Sequence, residues 1–160
     1  MPRAGALTPG TPDSPADCDP ATEDCRPLTS IAAGERVRVE LTLILPHDRL
    51  YVTLADPLPA GASAVDPNLT ISDPSLAGAM ERLDTPYRYG YWGWSYFSHI
   101  QYGDDQVIFQ APFLPAGTYQ YSYYLQTNIP GDFQVRPAVA YESFFPDVFG
   151  RSEGFIFTIE

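Results

Sequence analysis

The fold class is indicated most directly by residues 114–125, which read Leu-Pro-Ala-Gly-Thr-Tyr-Gln-Tyr-Ser-Tyr-Tyr-Leu. Tyr119, Tyr121, Tyr123 and Leu125 occupy alternate positions, and this period of two is typical of a β-strand with one buried face. Pro-Ala-Gly before the strand and Pro-Gly-Asp at residues 130–132 after it are turn sequences. The stretch therefore predicts a half-buried strand with a tight turn at each end.

Similar patterns recur along the chain and give seven predicted strands. The clearest alternation covers residues 36–45, and a second strand at residues 50–56 follows a turn, so we interpret the two as a hairpin. The other predicted strands cover residues 92–102, 106–113, 119–126, 133–139 and 155–159. The approach to Tyr119 also resembles the tyrosine corner of immunoglobulin-like sandwiches.

One short helix is predicted in the loop between the second and third strands. Asp73 suits the helix cap, Pro74 the first position, and Leu76, Met80 and Leu83 are spaced along one helical face. The 17 prolines and 12 glycines disfavour longer helices. The expected fold is all-β: a seven-stranded antiparallel immunoglobulin-like β-sandwich with one short helix in a loop.

Length and charge limit the range of functions. A chain of 160 residues can form one domain with a hydrophobic core, which we assign to residues 31–160. Residues 1–30 are rich in Pro and Asp and are interpreted as an arm or linker. The net charge of −11 disfavours nucleic acid and anionic membranes as partners. Residues 1–10 lack the apolar core of a signal peptide, and no stretch has the ~20 apolar residues of a membrane helix.

The residue pattern does not predict catalysis, a cofactor or a metal centre. His47 adjoins Asp48 in a turn, and His99 lies near Asp104 and Asp105, but neither histidine sits in a nucleophile elbow or a metal-binding motif. Adjacent carboxylates on an extended chain face opposite ways, so Asp104 and Asp105 are interpreted as turn residues. We therefore expect a protein that is not an enzyme and needs no cofactor.

An aromatic stretch at residues 87–97 supports a second interpretation. Trp92, Trp94 and Tyr96 share one face of the predicted third strand and could stack on sugar rings, as in carbohydrate-binding modules built on a similar sandwich. The simpler interpretation, which we favour, is that these rings fill the core, because large aromatic side chains usually dominate burial.

Six motifs occur in an order that resembles a known family. They are residues 56–61 (Asp-Pro-Leu-Pro-Ala-Gly), 65–69, 99–107, 114–119, 130–133 (Pro-Gly-Asp-Phe) and 148–152 (Val-Phe-Gly-Arg-Ser). Each motif is weak alone, but together they resemble the last macroglobulin-like domain of bacterial alpha-2-macroglobulins over roughly residues 31–160. The resemblance implies a macroglobulin-like β-sandwich.

The resemblance also implies a function for the chain. It would be a non-catalytic docking module, the C-terminal domain of a protease inhibitor, which packs against the preceding domains of its parent and shields the parent's thioester region. The family's thioester signature, Cys-x-Glu-Gln, is absent here, so a target protease would be engaged only through the parent. The implied location is the periplasm, or the cell envelope or exterior, and we expect the isolated domain to be a monomer.

Two cysteines lie within the predicted arm. In the exported compartment that the resemblance implies, we favour a disulfide between Cys18 and Cys25 over two free thiols. The acidic residues beside them lack the spacing of an EF-hand loop, and calcium binding by this arm stays an open question.

Residues 144–152 are predicted to form a loop that docks on the parent. In the family this segment commonly reads Tyr-x-Pro-Glu-Val-Phe-Gly-Arg-Ser, and the family tyrosine, to which the resemblance assigns the covering of the thioester, falls on Phe144. Two adjacent aromatic residues are difficult to bury in such a loop, so we expect at least one of Phe144 and Phe145 to face outward. The alternative is that both rings pack beneath their own loop. The expected docking residues are Phe144, Phe145, Pro146, Phe149 and Arg151.

Overall fold

The computed structural model describes residues 3–9, 28–67, 69, 79–82 and 96–160, and of these it describes residues 3–9 and 79–82 by their backbone alone. Within these residues every regular element is a β-strand, and none forms a helix that could cross a membrane. The strands are β1 (Arg3–Pro9), β2 (Ser30–Ile31), β3 (Arg36–Leu45), β4 (Arg49–Pro57), β5 (Ala62–Ala64), β6 (Ala79–Arg82), β7 (His99–Tyr102), β8 (Gln106–Leu114), β9 (Gly117–Thr127), β10 (Gly131–Val135), β11 (Val139–Glu142), β12 (Phe145–Arg151) and β13 (Phe155–Ile159). The expected all-β class is confirmed, with more strands than the seven predicted.

The strands form three sheets. Sheet A has the order β1-β3-β9-β5, with β6 also paired to β9; sheet B has the order β10-β13-β2; and sheet C has the order β12-β11-β4-β8-β7. Sheets A and C meet through their aromatic side chains: the rings of Phe109 in β8 and Tyr121 in β9 lie 4.3 Å apart. The core of the domain lies between these two sheets and extends to Ile31, Phe157 and Ile159 of sheet B.

The central pair of sheet A explains the alternation seen in the sequence. β3 and β9 are antiparallel from Arg36 opposite Gln126 to Leu45 opposite Gly117. The alternate residues of β9 that the sequence analysis singled out, Tyr119, Tyr121, Tyr123 and Leu125, are all buried. The hydroxyl of Tyr119 donates a hydrogen bond to the carbonyl of Pro115 at 2.7 Å, which is the geometry of a tyrosine corner.

The predicted hairpin at residues 36–56 is wrong in its pairing. β3 lies in sheet A, whereas β4 pairs with β8 and β11 in sheet C, so the turn between them connects two sheets. The predicted strand at residues 133–139 is likewise divided between β10 in sheet B and β11 in sheet C, with Pro137 between them. An alternating pattern shows which face is buried but does not identify the partner strand.

The helix predicted from Leu76, Met80 and Leu83 is also wrong where the structure describes it. Ala79–Arg82 forms β6, which pairs with β9 on the edge opposite to the one that β3 occupies. A short segment with few apolar residues fits either period, and the free edge of β9 decides in favour of a strand. Residues 73–78 and Leu83 lie outside the described residues.

The amino-terminal arm contains regular structure that the sequence analysis did not predict. Arg3–Pro9 pairs with β3 as strand β1, from Arg3 opposite Thr42 to Pro9 opposite Val37. This segment is therefore a strand of sheet A rather than irregular chain. The boundary between an arm at residues 1–30 and a domain at residues 31–160 stays a prediction.

Candidate docking surface

The loop predicted at residues 144–152 is instead the second strand of a hairpin at the edge of sheet C. β12 pairs with β11 regularly from Arg151 opposite Val139 to Phe149 opposite Tyr141, and the register then jumps, so residues 146–148 bulge from the ladder. An edge strand that is exposed on both faces shows no alternation of apolar and polar residues. For this reason the sequence pattern did not reveal the strand.

Large apolar side chains are exposed on this hairpin. Phe144, Phe145 and Phe149 are 69%, 67% and 65% exposed, so the expectation that at least one of the first two faces outward is confirmed. Pro146 and Arg151 are exposed as well. Further exposed apolar residues lie where β4 begins and β8 ends. We call the combined surface the hairpin patch, and it comprises Leu50, Tyr51, Phe113, Phe144, Phe145 and Phe149.

The turn of the hairpin is fixed to the start of β4. The amide of Ser143 donates to the carbonyl of Tyr51 at 2.9 Å, and the hydroxyls of Ser143 and Thr53 share a hydrogen bond at 2.8 Å. The ring of Phe144 packs edge-on against the ring of Tyr51, with centroids 4.9 Å apart. Phe144 is therefore held outward by a neighbouring ring.

Tyr51 has a backbone conformation that a tyrosine rarely adopts. Its φ is +51°, in the left-handed region, where an L-residue pays roughly 1–2 kcal/mol. The partner position on β8 is Pro112, which has no N–H to donate, and the ladder skips this pair between Leu50–Phe113 and Val52–Ala111. The missing ladder hydrogen bond leaves Tyr51 free to turn, and the turn leaves both Leu50 and Tyr51 exposed.

One ion pair lies beneath the hairpin. A guanidinium nitrogen of Arg49 is 3.4 Å from a carboxylate oxygen of Glu142, and the two side chains are 25% and 13% exposed. The pair joins the start of β4 to the end of β11, so it holds the base of the hairpin patch. Because both side chains are partly buried, we expect this pair to contribute more to folding stability than an exposed surface pair, which contributes about 0–1 kcal/mol.

A buried carboxyl lies at the opposite end of β4. Asp56 accepts a hydrogen bond at 2.6 Å from the hydroxyl of Tyr123, which joins sheet C to sheet A. Burial raises the pKa of Asp56 from 3.8 to about 6, and the hydrogen bond from Tyr123 lowers it only in part. The same burial raises the pKa of Tyr123 well above its usual value, so Tyr123 stays a donor.

The residues considered for catalysis are not brought together. His47, His99, Asp104 and Asp105 are all exposed, and His99 lies in the edge strand β7. Among the described residues no group of three His, Cys, Asp or Glu side chains could hold a metal ion. Cys18, Cys25 and the acidic residues beside them lie outside the described residues.

The carbohydrate-binding alternative gains no support from Tyr96. Its ring is half-buried and packs against that of Tyr119, with centroids 5.1 Å apart, as expected for a core residue. Trp92 and Trp94 lie outside the described residues.

Comparison with known proteins identifies the family. A family model of the bacterial alpha-2-macroglobulin MG10 domain matches residues 11–147. The chain belongs to this family. This confirms the resemblance that the sequence motifs indicated, and the match covers the hairpin turn with Phe144 and most of the sandwich.

The relatives are much longer than this chain. It is 27% identical over 127 residues to an alpha-2-macroglobulin homolog of Nostoc sp., a match covering 79% of this chain and 6% of that protein. The native alpha-2-macroglobulin of Escherichia coli, in a structure from domain MG7 to the C-terminus, superposes with a TM-score of 0.70 at 14% identity, covering 100% of this chain and 23% of that one. Salmonella alpha-2-macroglobulin reacted with methylamine gives a TM-score of 0.62 at 17% identity, with 99% and 9% covered. At these identities the structures show the fold alone.

Proposed function

We propose that the chain is a non-catalytic docking module of an exported bacterial alpha-2-macroglobulin, located in the periplasm or cell envelope. In this proposal it packs against the preceding domains of the parent and shields the thioester region where the parent has one. The contact residues are those that the sequence analysis expected, namely Phe144, Phe145, Pro146, Phe149 and Arg151. A target protease is engaged only through the parent, and the isolated domain is a monomer.

The observation that carries the proposal is the exposure of three phenylalanines on one hairpin. Phe144, Phe145 and Phe149 are each about two-thirds exposed, and the neighbouring Leu50, Tyr51 and Phe113 are about half exposed. Exposed apolar side chains that cluster on one part of a surface often mark the place where a protein binds a partner. Aromatic residues are also enriched where protein surfaces meet. Since the match covers only 6% of the Nostoc relative, we propose other domains of the parent as the binding partner.

The edge strand favours docking through side chains rather than through added strands. Pro146 lacks a backbone N–H, and the bulge at residues 146–148 interrupts the ladder. Asp147 and Arg151 place charges on the same strand. These are the features by which proteins keep an edge strand from pairing with another strand. The rings of the hairpin patch are therefore the binding groups.

Phe144 is proposed to exclude water from the docked interface. It stands where the family commonly has tyrosine, so it can cover a neighbouring group but cannot donate a hydrogen bond. A hydroxyl at this position would add about 1 kcal/mol if it found an acceptor. Phe144→Tyr therefore tests whether the parent retains a partner for the family hydroxyl.

The decisive experiment uses Phe144→Ala in the full-length parent, shown beforehand to contain an intact thioester. Loss of a central aromatic contact typically costs 2 kcal/mol or more. We expect the thioester to react with methylamine at least about ten-fold faster in this variant. Ile156→Ala is the matched control, because Ile156 is 61% exposed but lies on β13 in sheet B.

Hydrogen exchange gives a second readout that does not need a thioester. The amides of the hairpin, residues 139–151, should exchange more slowly in the full-length parent than in the isolated chain. An unchanged methylamine rate in Phe144→Ala together with equal exchange in the two proteins would rule out docking through this surface.

A further inference from the structure

A cavity of about 200 Å³ lies beside the hairpin patch, between the end of β3 in sheet A and strands β4, β11 and β12 of sheet C. It is open to solvent on one side. Most of its walls are apolar, formed chiefly by Leu43, Leu45, Val52, Ala140, Val148 and Gly150.

Two small residues account for the cavity. Ala140 and Gly150 are opposite each other in the β11–β12 ladder, and Ala140 is also opposite the core residue Leu54 of β4. At this edge of sheet C the side chains are therefore too small to fill the space that sheet A leaves. The backbone φ of Gly150 is not positive, so the absence of a side chain there is not required by the backbone.

The electrostatics of the cavity select against a charged ligand. Arg49 and Glu142 both line it and are paired with each other, so they largely cancel as charges. A charged group entering this site would lose its water and find no free counter-ion in the pair. An uncharged ring would bury apolar surface, and a hydroxyl on that ring could bond to the carboxylate of Glu142.

We propose that this cavity binds one aromatic side chain, the size of phenylalanine or tyrosine, from a neighbouring domain of the parent. This inference rests on the proposed docking function and adds the partner group to it. The size fits, because an engineered apolar cavity of about 150 Å³ binds benzene. Aromatic residues that fill a pocket commonly dominate the energy of an interface. The chain covers 23% of the Escherichia coli structure, and under the proposed function further domains of a parent of this kind supply the ring.

The first test is titration of the 160-residue chain with toluene and p-cresol, followed by amide shifts in NMR spectra. We expect saturable shifts at residues 43–45, 140–142 and 148–150, and much weaker shifts with benzoate and benzylamine. Ala140→Leu should fill the cavity and weaken toluene binding at least about ten-fold without lowering the melting temperature. Gly150→Val is the second variant, in case the first does not fold.

The outcomes separate the cavity from the patch. Absence of saturable shifts, or equal toluene binding by the wild type and a folded filled variant, would overturn the cavity site. In the full-length parent, the cavity amides should be protected from hydrogen exchange. Ala140→Leu should remove this protection even though Phe144 is intact. Protection of the hairpin amides without protection of residues 43–45 would retain the docking function and reject the ring in the cavity. Absence of protection at both would reject the two proposals together.

Discussion

The two ends of β4 differ in the exposure of their side chains. At the start of the strand, Leu50 and Tyr51 are exposed and Tyr51 has a left-handed backbone. At its end, Asp56 is buried and accepts a hydrogen bond from Tyr123 across the two sheets. The Asp56 end is complete within the domain, whereas the Tyr51 end leaves apolar rings in water. We infer that the Asp56 end contributes to folding stability and the Tyr51 end to binding. Each variant below tests one of these two assignments.

Tyr123→Phe should have the largest effect on stability. It removes the donor to Asp56 and leaves an ionised carboxylate buried without that hydrogen bond, which costs about 2–3 kcal/mol at pH 8. Urea unfolding at pH 8 measures the loss. Tyr51→Phe is the control at the other end of β4 and should change the unfolding free energy by less than about 0.5 kcal/mol. Equal costs for the two variants would remove the contrast between the strand ends.

The pH dependence of stability should report Asp56 directly. Its pKa is 3.8 in the reference state and about 6 in the folded protein, so the folded state holds the proton more tightly. The resulting stabilisation is fully present below pH 3.8 and is lost as the pH rises through 6, by about 1.4 kcal/mol between pH 5 and 8. Urea unfolding at several pH values in that window measures the loss. Asp56 lines a small cavity whose other charged and titratable groups are Tyr123, Arg136 and Glu153.

Asp56→Asn is the control for the pH profile. Asparagine keeps an acceptor for the hydroxyl of Tyr123 and cannot ionise, so the unfolding free energy should be nearly level between pH 5 and 8. A slope that persists in Asp56→Asn would assign the titration to another group.

The core could be predicted from the sequence because burial there follows a strict period. Tyr119, Tyr121, Tyr123 and Leu125 face the core in turn, and the family motifs around them could be read from the sequence. Strand partners could not be predicted in the same way. The pairing of β3 with β9 joins residues far apart in the chain, and local alternation carries no information on such a partner.

The candidate site was predicted only in part, and not from the alternating pattern that predicted the core. The expected docking residues were chosen from the resemblance and from the difficulty of burying Phe144 beside Phe145, and both of these rings are exposed. Their docking role stays a prediction. The bulged strand β12, the left-handed Tyr51 and the cavity at Ala140 were not predicted. Each depends on what lies opposite a residue in the sheet: Pro112 faces Tyr51 across the strands, and Gly150 faces Ala140. For Tyr51, the available signal was Pro112, a proline within a strand pattern.

Replacing Tyr51 with glycine should separate backbone strain from the ordinary cost of a glycine. Glycine adopts a positive φ freely, so Tyr51→Gly relieves the strained position while adding unfolded-state entropy. Leu50→Gly is the matched control, since Leu50 is similarly exposed but is not among the residues with positive φ. We expect Tyr51→Gly to be the less destabilising by about 1 kcal/mol in urea unfolding. Equal losses would contradict a strained Tyr51.

The smallest effect on folding is expected for Phe144→Ala, and its smallness is informative. Phe144 is 69% exposed, and the ring it packs against, Tyr51, is itself 52% exposed. Truncation therefore uncovers little surface that the fold had removed from water, and the unfolding free energy of the isolated chain should change by less than about 0.5 kcal/mol. A residue that folding does not need, yet whose removal speeds the reaction of the full-length parent with methylamine, acts in the interface and not in the fold. A loss above about 1 kcal/mol in the isolated chain would instead mean that the ring packs within its own hairpin, and the Tyr51 end of β4 would then be a structural end like the other.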